Sequence, residues 1–269
     1  MRVATWNLLH ATPILGAESG ATLREQAKLI HADIIGLQEV DRNQPRSGHA
    51  HQLQEVAQAL ELPYWVYAPT VVGTPGEQWE DAHDHHVHTH EQDTEHHQTP
   101  HYGNALASRY PLTDIEILRF PAAPLSLPLL VPGDKKMQVL KVADEPRIAI
   151  ICTAHTPIGP ITVATTHLSF VPGFNIKQLR KLTKELTKRN HPALVLGDFN
   201  LIGSIPRLIS KWDMLARIAT YPVFKPRIQF DHILAKGFSD VAVKRAQQSA
   251  QRLALDVSDH CALVVTING

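Results

Sequence analysis

Short apolar runs recur along the whole chain, at residues 3–6, 34–40, 105–108, 148–154, 161–166, 193–196, 230–235, 241–244 and 262–267. Most are β-branched and bounded by Gly, Pro, Asp or Asn, the composition of strands closed by turns. Elsewhere the spacing is helical. Thr22-x-x-Glu25 is a capping box that opens a short helix with Leu23, Ala27 and Ile30 on one face. Leu53, Val56, Ala57 and Leu60 predict a helix within 47–61, and Ile176, Leu179, Leu182 and Leu186 predict another within 174–190. Strands and helices spread evenly over 269 residues predict one α/β domain rather than two.

Two segments break this pattern. Residues 76–101 hold eight histidines (His83, His85, His86, His88, His90, His96, His97 and His101) and seven acids, with no Lys or Arg. This His- and acid-rich insertion reads as a solvated loop. A weak Zn²⁺ or Ni²⁺ tract is the sharper alternative, although the spacing fits no single structural zinc pattern. Residues 121–132 are apolar and carry Pro121, Pro124, Pro128 and Pro132. Proline excludes a regular helix or central strand there, so an extended connection packed on the body is expected, with a lipid- or partner-touching loop as the alternative.

The formal net charge is zero, but the seven loop acids mask a mildly basic body, in which the 26 Lys and Arg outnumber the remaining acids by seven. That balance suits a polyanionic substrate and falls short of the basic stripe of a dedicated nucleic-acid binder. No stretch approaches the roughly 18 apolar residues of a membrane span, and Met1–Asn7 shows no secretory pattern, so a cytoplasmic location is expected. The two cysteines, Cys152 and Cys261, sit among small and β-branched residues and read as buried free thiols.

Polar residues cluster at the ends of the apolar runs. Asn7 follows the first, Glu39 closes the second, His167 follows 161–166, and Asp198 and Asn200 follow 193–196. Asp231 and His232 interrupt 230–235, and Asp259 and His260 precede the last. Strand ends are where rigid scaffolds present chemical groups. Each residue alone has a structural explanation; six such placements together point to a site. Carboxylate and carboxamide oxygens suit Mg²⁺ or Mn²⁺ rather than Zn²⁺. A histidine beside an aspartate can be held in one tautomer and kept protonated next to a phosphate. No phosphate-binding glycine loop and no Gly-x-Ser-x-Gly elbow occurs. The set reads as metal-assisted hydrolysis of a phosphoester.

Several stretches resemble the endonuclease/exonuclease/phosphatase superfamily. They are Thr5-Trp6-Asn7, Leu37-Gln38-Glu39-Val40, residues 104–111 (Asn-Ala-Leu-Ala-Ser-Arg-Tyr-Pro), Thr165-Thr166-His167-Leu168, Gly197-Asp198-Phe199-Asn200, Phe230-Asp231-His232-Ile233-Leu234 and Ser258-Asp259-His260. They stand in the family's order. The resemblance implies a DNase I-like four-layer α/β/β/α sandwich (α+β), with two mainly antiparallel sheets face to face. It implies Glu39, with Asn7 beside it and Asp259 near it, as the metal site for Mg²⁺ or Mn²⁺. Asp198 would activate the water, Asn200 and His167 would contact the phosphoryl group, and His260 would be oriented by Asp231. Asn104 would face the substrate; Arg109 is a candidate substrate contact because it lies beside a site motif. Nuclease members often carry a polar residue where this chain has Leu9.

Three functions follow. The first is a divalent-metal-dependent phosphodiesterase acting on a small or lipid-derived phosphoester. The second is a DNA or RNA nuclease on the same scaffold. The third is a non-catalytic metal-binding relative. Lys177, Arg180, Lys181, Lys184, Lys188 and Arg189 on the helix near 174–190 read as a solvated outer face rather than a nucleic-acid surface. Arg147 and Arg227 are further candidates for phosphate contact, and Phe170 and Phe174 for a pocket wall.

Overall fold

A computed structural model describes residues 1–12, 20–93, 99–132 and 137–268. The apolar runs assemble into two large sheets. In the first, Gln251–Leu253, Ala262–Thr266, Arg2–Asn7, Ile34–Arg42, His101–Ser108, Tyr64–Gly73 and Trp79–Asp81 lie side by side in that order. The second runs Asp213–Met214, Asp231–Lys236, Ala193–Asp198, Gly159–His167, Arg147–Thr156 and Leu112–Phe120. Each sheet contains one parallel pair, Arg2–Asn7 with Ile34–Arg42 and Gly159–His167 with Ala193–Asp198; the other neighbours are antiparallel.

The sheets pack face to face. Val3, Ile34 and Leu106 of the first meet Ile150, Val163 and Leu196 of the second in one buried cluster. Outside the first sheet, Leu23 and Ala27 of helix Leu23–Lys28 and Leu53 and Val56 of helix Gln52–Ala59 form a second core. Outside the other, Leu179, Leu182 and Leu186 of helix Phe174–Leu186 form a third. Both faces of each sheet are therefore covered, which is why the strands read as continuous apolar runs rather than alternating ones. The result is the α/β/β/α sandwich expected from the sequence. The capping box is present: Thr22 Oγ1 accepts from Glu25 N, and Glu25 Oε2 accepts from Thr22 N at 3.0 Å. Cys152 and Cys261 are both buried and free.

Three expectations change. Residues 241–244, read as a strand, lie in helix Asp240–Ser249, whose N-terminus is capped by Ser239 Oγ on Ala242 N. Val243 is buried and Val241 exposed, an outcome two residues apart that a helix produces and one strand face does not. Residues 121–132 are not merely a connection. Ser126–Pro132 pairs with Met137–Ala143 in a separate two-stranded ribbon, where proline removes no bond from a central strand. The histidine-rich segment is partly folded rather than simply solvated. Trp79–Asp81 and His88–Thr89 pair with Tyr64–Gly73, and His101 opens a strand of the first sheet. Asp93 is drawn in by Arg42 at 2.6 Å and by Gln54 Nε2 at 2.7 Å. His96 and His97 lie outside the described residues.

Candidate active site

The two parallel pairs decide where the polar residues go. Parallel neighbours end together, so Asn7 stands opposite Gln38 and next to Glu39, while His167 stands opposite Asp198. Asp198 in turn faces Asp231 across the antiparallel pair. All these ends lie at one mouth of the sandwich. They line a cavity of about 440 Å³ that holds Glu39, His167, Asp198, Asn200, Asp259 and His260, walled by Tyr102, Phe170, Tyr221 and Phe230. A wider hollow of about 710 Å³ beside Gln54, Leu62 and Trp65 has no comparable convergence of chemical groups.

The local backbone is shaped to aim these groups. The pairing of Ile34–Arg42 with His101–Ser108 slips between Leu37 and Val40, a bulge that contains Glu39. Glu39 has φ of 55° there, and Asn200 has φ of 48°. Such left-handed conformations are costly away from glycine and collect at functional sites. Gly197 has φ of 150°, and a Cβ there would stand 1.9 Å from Thr166 O. Only glycine lets the strand carrying Asp198 lie this close to the one carrying His167.

A hydrogen-bond lattice joins the cluster. Asn7 Nδ2 donates to Glu39 Oε1 at 2.8 Å and to Asp198 Oδ2 at 3.1 Å. Asp198 Oδ1 accepts from Asn200 N at 2.9 Å. Asn200 Nδ2 donates to Leu168 O at 2.9 Å, which fixes it as the amide nitrogen. Its other hydrogen meets His167 Nε2 at 3.1 Å. His167 Nε2 is therefore the acceptor, and the ring proton sits on Nδ1, facing Glu39 at 3.9 Å. His260 Nδ1 bonds Asp231 Oδ2 at 2.8 Å, and its Nε2 points toward Asp198 Oδ2 at 3.7 Å.

Not every expected residue arrives. Arg109 leaves the strand His101–Ser108 at its far end, where Ser108 pairs with Ile34, and its Nε is held by Asp33 at 2.9 Å. The chain order that placed it near Asn104 carries it a full strand length from the cavity. Asn104 is buried between the sheets, with Nδ2 donating to Ile148 O at 3.2 Å, so it staples the layers rather than facing a substrate. His232 is also turned away, bonding Leu201 O at 2.7 Å beneath Phe199.

Other residues support the site without a sequence signal of their own. Thr220 Oγ1 donates to Asp231 Oδ2 at 2.5 Å, from a loop that carries no motif. Ser258, inside the Ser-Asp-His stretch, donates to Asn7 O at 2.6 Å and accepts from His260 N at 3.0 Å, tying both termini of the site together. Arg147 lines the cavity wall, buried against Asp144 at 3.3 Å and Glu145 at 3.2 Å.

Electrostatics separate these groups. Burial alone would strip His260 of its proton, but Asp231, Asp198 and Asp259 outweigh it and raise the imidazole to about 10. His167 goes the other way. Burial, with the nearby Arg147 cation, lowers it to about 3, so it is neutral. Asp198 is raised to about 6, chiefly by burial and also by Asp231, and Asp259 is raised to about 6 by burial and by Glu39. Glu39 is held down at about 2: the imidazoles around it (His167, His10 and the protonated His260) and the Asn7 hydrogen bond overcome its burial.

A family profile described as Endonuclease/Exonuclease/phosphatase family matches residues 4–260. The chain belongs to that family. Solved structures agree on the fold. An endonuclease/exonuclease/phosphatase from Beutenbergia cavernae is 18% identical with a TM-score of 0.59, over all of this chain and 72% of its own. A family protein from Leptotrichia buccalis is 14% identical with a TM-score of 0.59, over all of both chains. Beta toxin from Staphylococcus aureus, solved with bound magnesium ions, is 12% identical with a TM-score of 0.56, over 99% of both. At these identities the likeness establishes the fold. A search of curated proteins found no match. Among the described residues no helix is long and apolar enough to cross a membrane.

The family is one of phosphoester hydrolases, and the donor set at this mouth suits a hard divalent cation. Besides Glu39, the cavity lining offers the carboxylates of Asp198 and Asp259, and neither cysteine lines it. Asp259 Oδ1 is buried without a hydrogen-bond partner among the described residues, an oxygen that a cation would satisfy. Asp198, Asp231 and His260 also bring ligand atoms within 4.8 Å of one another. There, however, His260 carries its proton and offers no lone pair, so this trio reads as acid–base machinery. The histidine-rich segment shows no convergence of three ligand atoms among the described residues. The His83 and His85 rings stack at 5.9 Å instead.

Proposed function

We propose that this protein is a divalent-metal-dependent phosphodiesterase that directs a water in line at a small or lipid-derived phosphoester. The observation that carries the reading is the position of Asp198, fixed at both oxygens between neutral His167 and protonated His260. Asp198 takes the proton of the attacking water; its raised pKa places it near the pH at which such a base works. His167 orients a phosphoryl oxygen by donating from Nδ1, and Asn200, whose two amide hydrogens go to Leu168 O and His167 Nε2, holds the ring in that tautomer. His260, charged and braced by Asp231, faces the negative charge that builds on the phosphoryl group. Glu39, with Asn7 beside it and Asp259, would hold Mg²⁺ or Mn²⁺, which when bound neutralises charge on the transferred group.

A diester fits this charge balance better than a monoester. Glu39, Asp198, Asp231 and Asp259 crowd the mouth, and the buried cations opposing them are His260 and Arg147. A monoanionic diester meets less repulsion than a dianionic monoester.

The test is hydrolysis of bis(p-nitrophenyl) phosphate by wild type and Asp198→Asn with Mg²⁺, with Mn²⁺ and with EDTA. Metal-dependent turnover that falls by at least 10²-fold in the variant is the expected result. Turnover that survives in EDTA, or is equal in the variant, rejects it.

A further inference from the structure

The residues just beyond the cleft are unusual for a soluble enzyme surface. Ile202, two positions after Asn200, is 56% exposed, and Leu208 on helix Ile205–Ser210 is 65% exposed. Phe224, three positions after the cleft residue Tyr221, is 77% exposed. These two banks adjoin: Gly203 N bonds Gln229 O, and the loop bearing Phe224 closes on itself where Ile228 N bonds Tyr221 O at 3.0 Å. Across the cleft, Leu125 is 54% exposed next to Asp144. A single exposed apolar side chain needs no explanation, but several around one catalytic mouth do.

The charges between them are predominantly basic. From residue 199 to residue 230 the chain carries Arg207, Lys211, Arg217, Lys225 and Arg227, and its sole acid is Asp213. Arg207, Lys211, Lys225 and Arg227 are all exposed, and none makes an ion pair with a described residue. On helix Ile205–Ser210, Pro206 is buried and Ile209 packs on the core, which turns Arg207, Leu208 and Lys211 outward together.

We propose that this rim is a docking surface for an anionic lipid bilayer. Leu208, Ile202 and Phe224 enter the interface and the basic residues meet the headgroups. Apolar tips ringed by Lys and Arg are the chemistry of interfacial binding, in which each buried side chain and each surface cation adds affinity. A nucleic acid would use the cations but gains little from aliphatic tips such as Ile202 and Leu208. The surface deepens the reading above, because it brings the mouth of the cleft to where a lipid-borne phosphodiester lies.

The experiment is co-sedimentation with vesicles of phosphatidylcholine alone and of phosphatidylcholine with 30% phosphatidylglycerol, at about 0.1 M salt. Three proteins are compared: wild type, Leu208→Ser/Phe224→Ser, and Arg207→Glu/Lys225→Glu. Wild type is expected to partition at least tenfold more strongly onto the anionic vesicles. Each double variant is expected to lose at least tenfold, with bis(p-nitrophenyl) phosphate turnover unchanged because none of these residues touches the catalytic groups. Absence of wild-type binding overturns the proposal, as does binding that survives the Leu208/Phe224 change. Capture of an oligonucleotide that depends on the cations and not on Leu208 and Phe224 would make the rim a nucleic-acid surface instead. Vesicle binding without turnover of the soluble diester would leave the docking surface standing and remove the proposed activity.

Discussion

His260 Nδ1 bonds Asp231 Oδ2 at 2.8 Å, and among the described residues this is the only side-chain hydrogen bond of that imidazole. A buried histidine ordinarily loses its proton. Here the carboxylate reverses that outcome and fixes which nitrogen faces the cleft.

Asp231→Asn tests this dependence. The amide can still occupy the space, but it removes the charge and lets the ring adopt the other tautomer. Turnover is expected to fall by 10²–10⁴-fold, the range seen when an acid–base histidine loses its orienting acid. The His260 resonance, followed by NMR in both proteins, is expected to titrate at a lower pH in the variant than in wild type, because the carboxylate that raises it is gone. A variant with unchanged turnover would make the pair structural only.

A second prediction concerns acid. His232 is buried and lowered to about 4, mainly by burial, which outweighs its bond to Leu201 O. The unfolded chain takes up a proton near pH 6.5, while the folded protein resists until about 4. The unfolded state therefore binds more protons in that window, and stability is lost as pH falls from 6.5 through 4. The shift corresponds to about 3 kcal/mol in urea unfolding of the metal-free protein. His232→Phe, which keeps the ring against Phe199, is expected to flatten that slope; an unchanged slope would assign acid sensitivity elsewhere.

The third prediction follows from Asp93. Arg42 and Asp93 pair at 2.6 Å with side chains only 5% and 8% exposed, and Asp93 is held down at about 2: Arg42 and His51 outweigh its burial. Removing one member of a buried pair strands the other and typically costs about 3 kcal/mol or more. Asp93→Ala is expected to lose that much stability and to speed proteolysis within 76–101, while the cleft stays intact. Cleavage at the wild-type rate would mean that the strands Trp79–Asp81 and His88–Thr89 hold the segment by themselves.

Much of this was legible in the sequence because it is local or periodic. The capping box at Thr22, the apolar strands, and the polar residues closing them are each decided within a few positions. What the sequence hid depends on distance along a strand or on partners far away. Arg109 follows Asn104 by five residues, and those five run the wrong way along the sheet. Asn104 looked available until Ile148 was seen behind it. Val241 and Val243 looked alike as strand residues, and a Ser239 cap decided otherwise. Thr220 braces Asp231 with no motif to mark it, since a lone threonine in a loop has no periodicity.

The last prediction uses opposite signs within one proposed metal site. Glu39 is stabilised as a carboxylate in the metal-free protein, whereas Asp259 is disfavoured as one by burial and by Glu39, its Oδ1 making no hydrogen bond among the described residues and lying 4.0 Å from His260 Nε2. Glu39→Gln should therefore lower the melting temperature of the metal-free protein, and Asp259→Asn should raise it. A cation that binds the folded state adds stability by mass action, about 2.7 kcal/mol at a hundredfold excess over its dissociation constant. Wild type is expected to gain melting temperature with added Mg²⁺, and both variants to lose most of that gain. Asp259→Asn would then be the more stable protein without metal and the less active one with it, the usual price of relieving repulsion that a functional site maintains. Differential scanning calorimetry with Mg²⁺ or EDTA reads both signs. If Asp259→Asn destabilises the metal-free protein while Glu39→Gln does not, the charge assignment is reversed and the ligands lie elsewhere in the cluster.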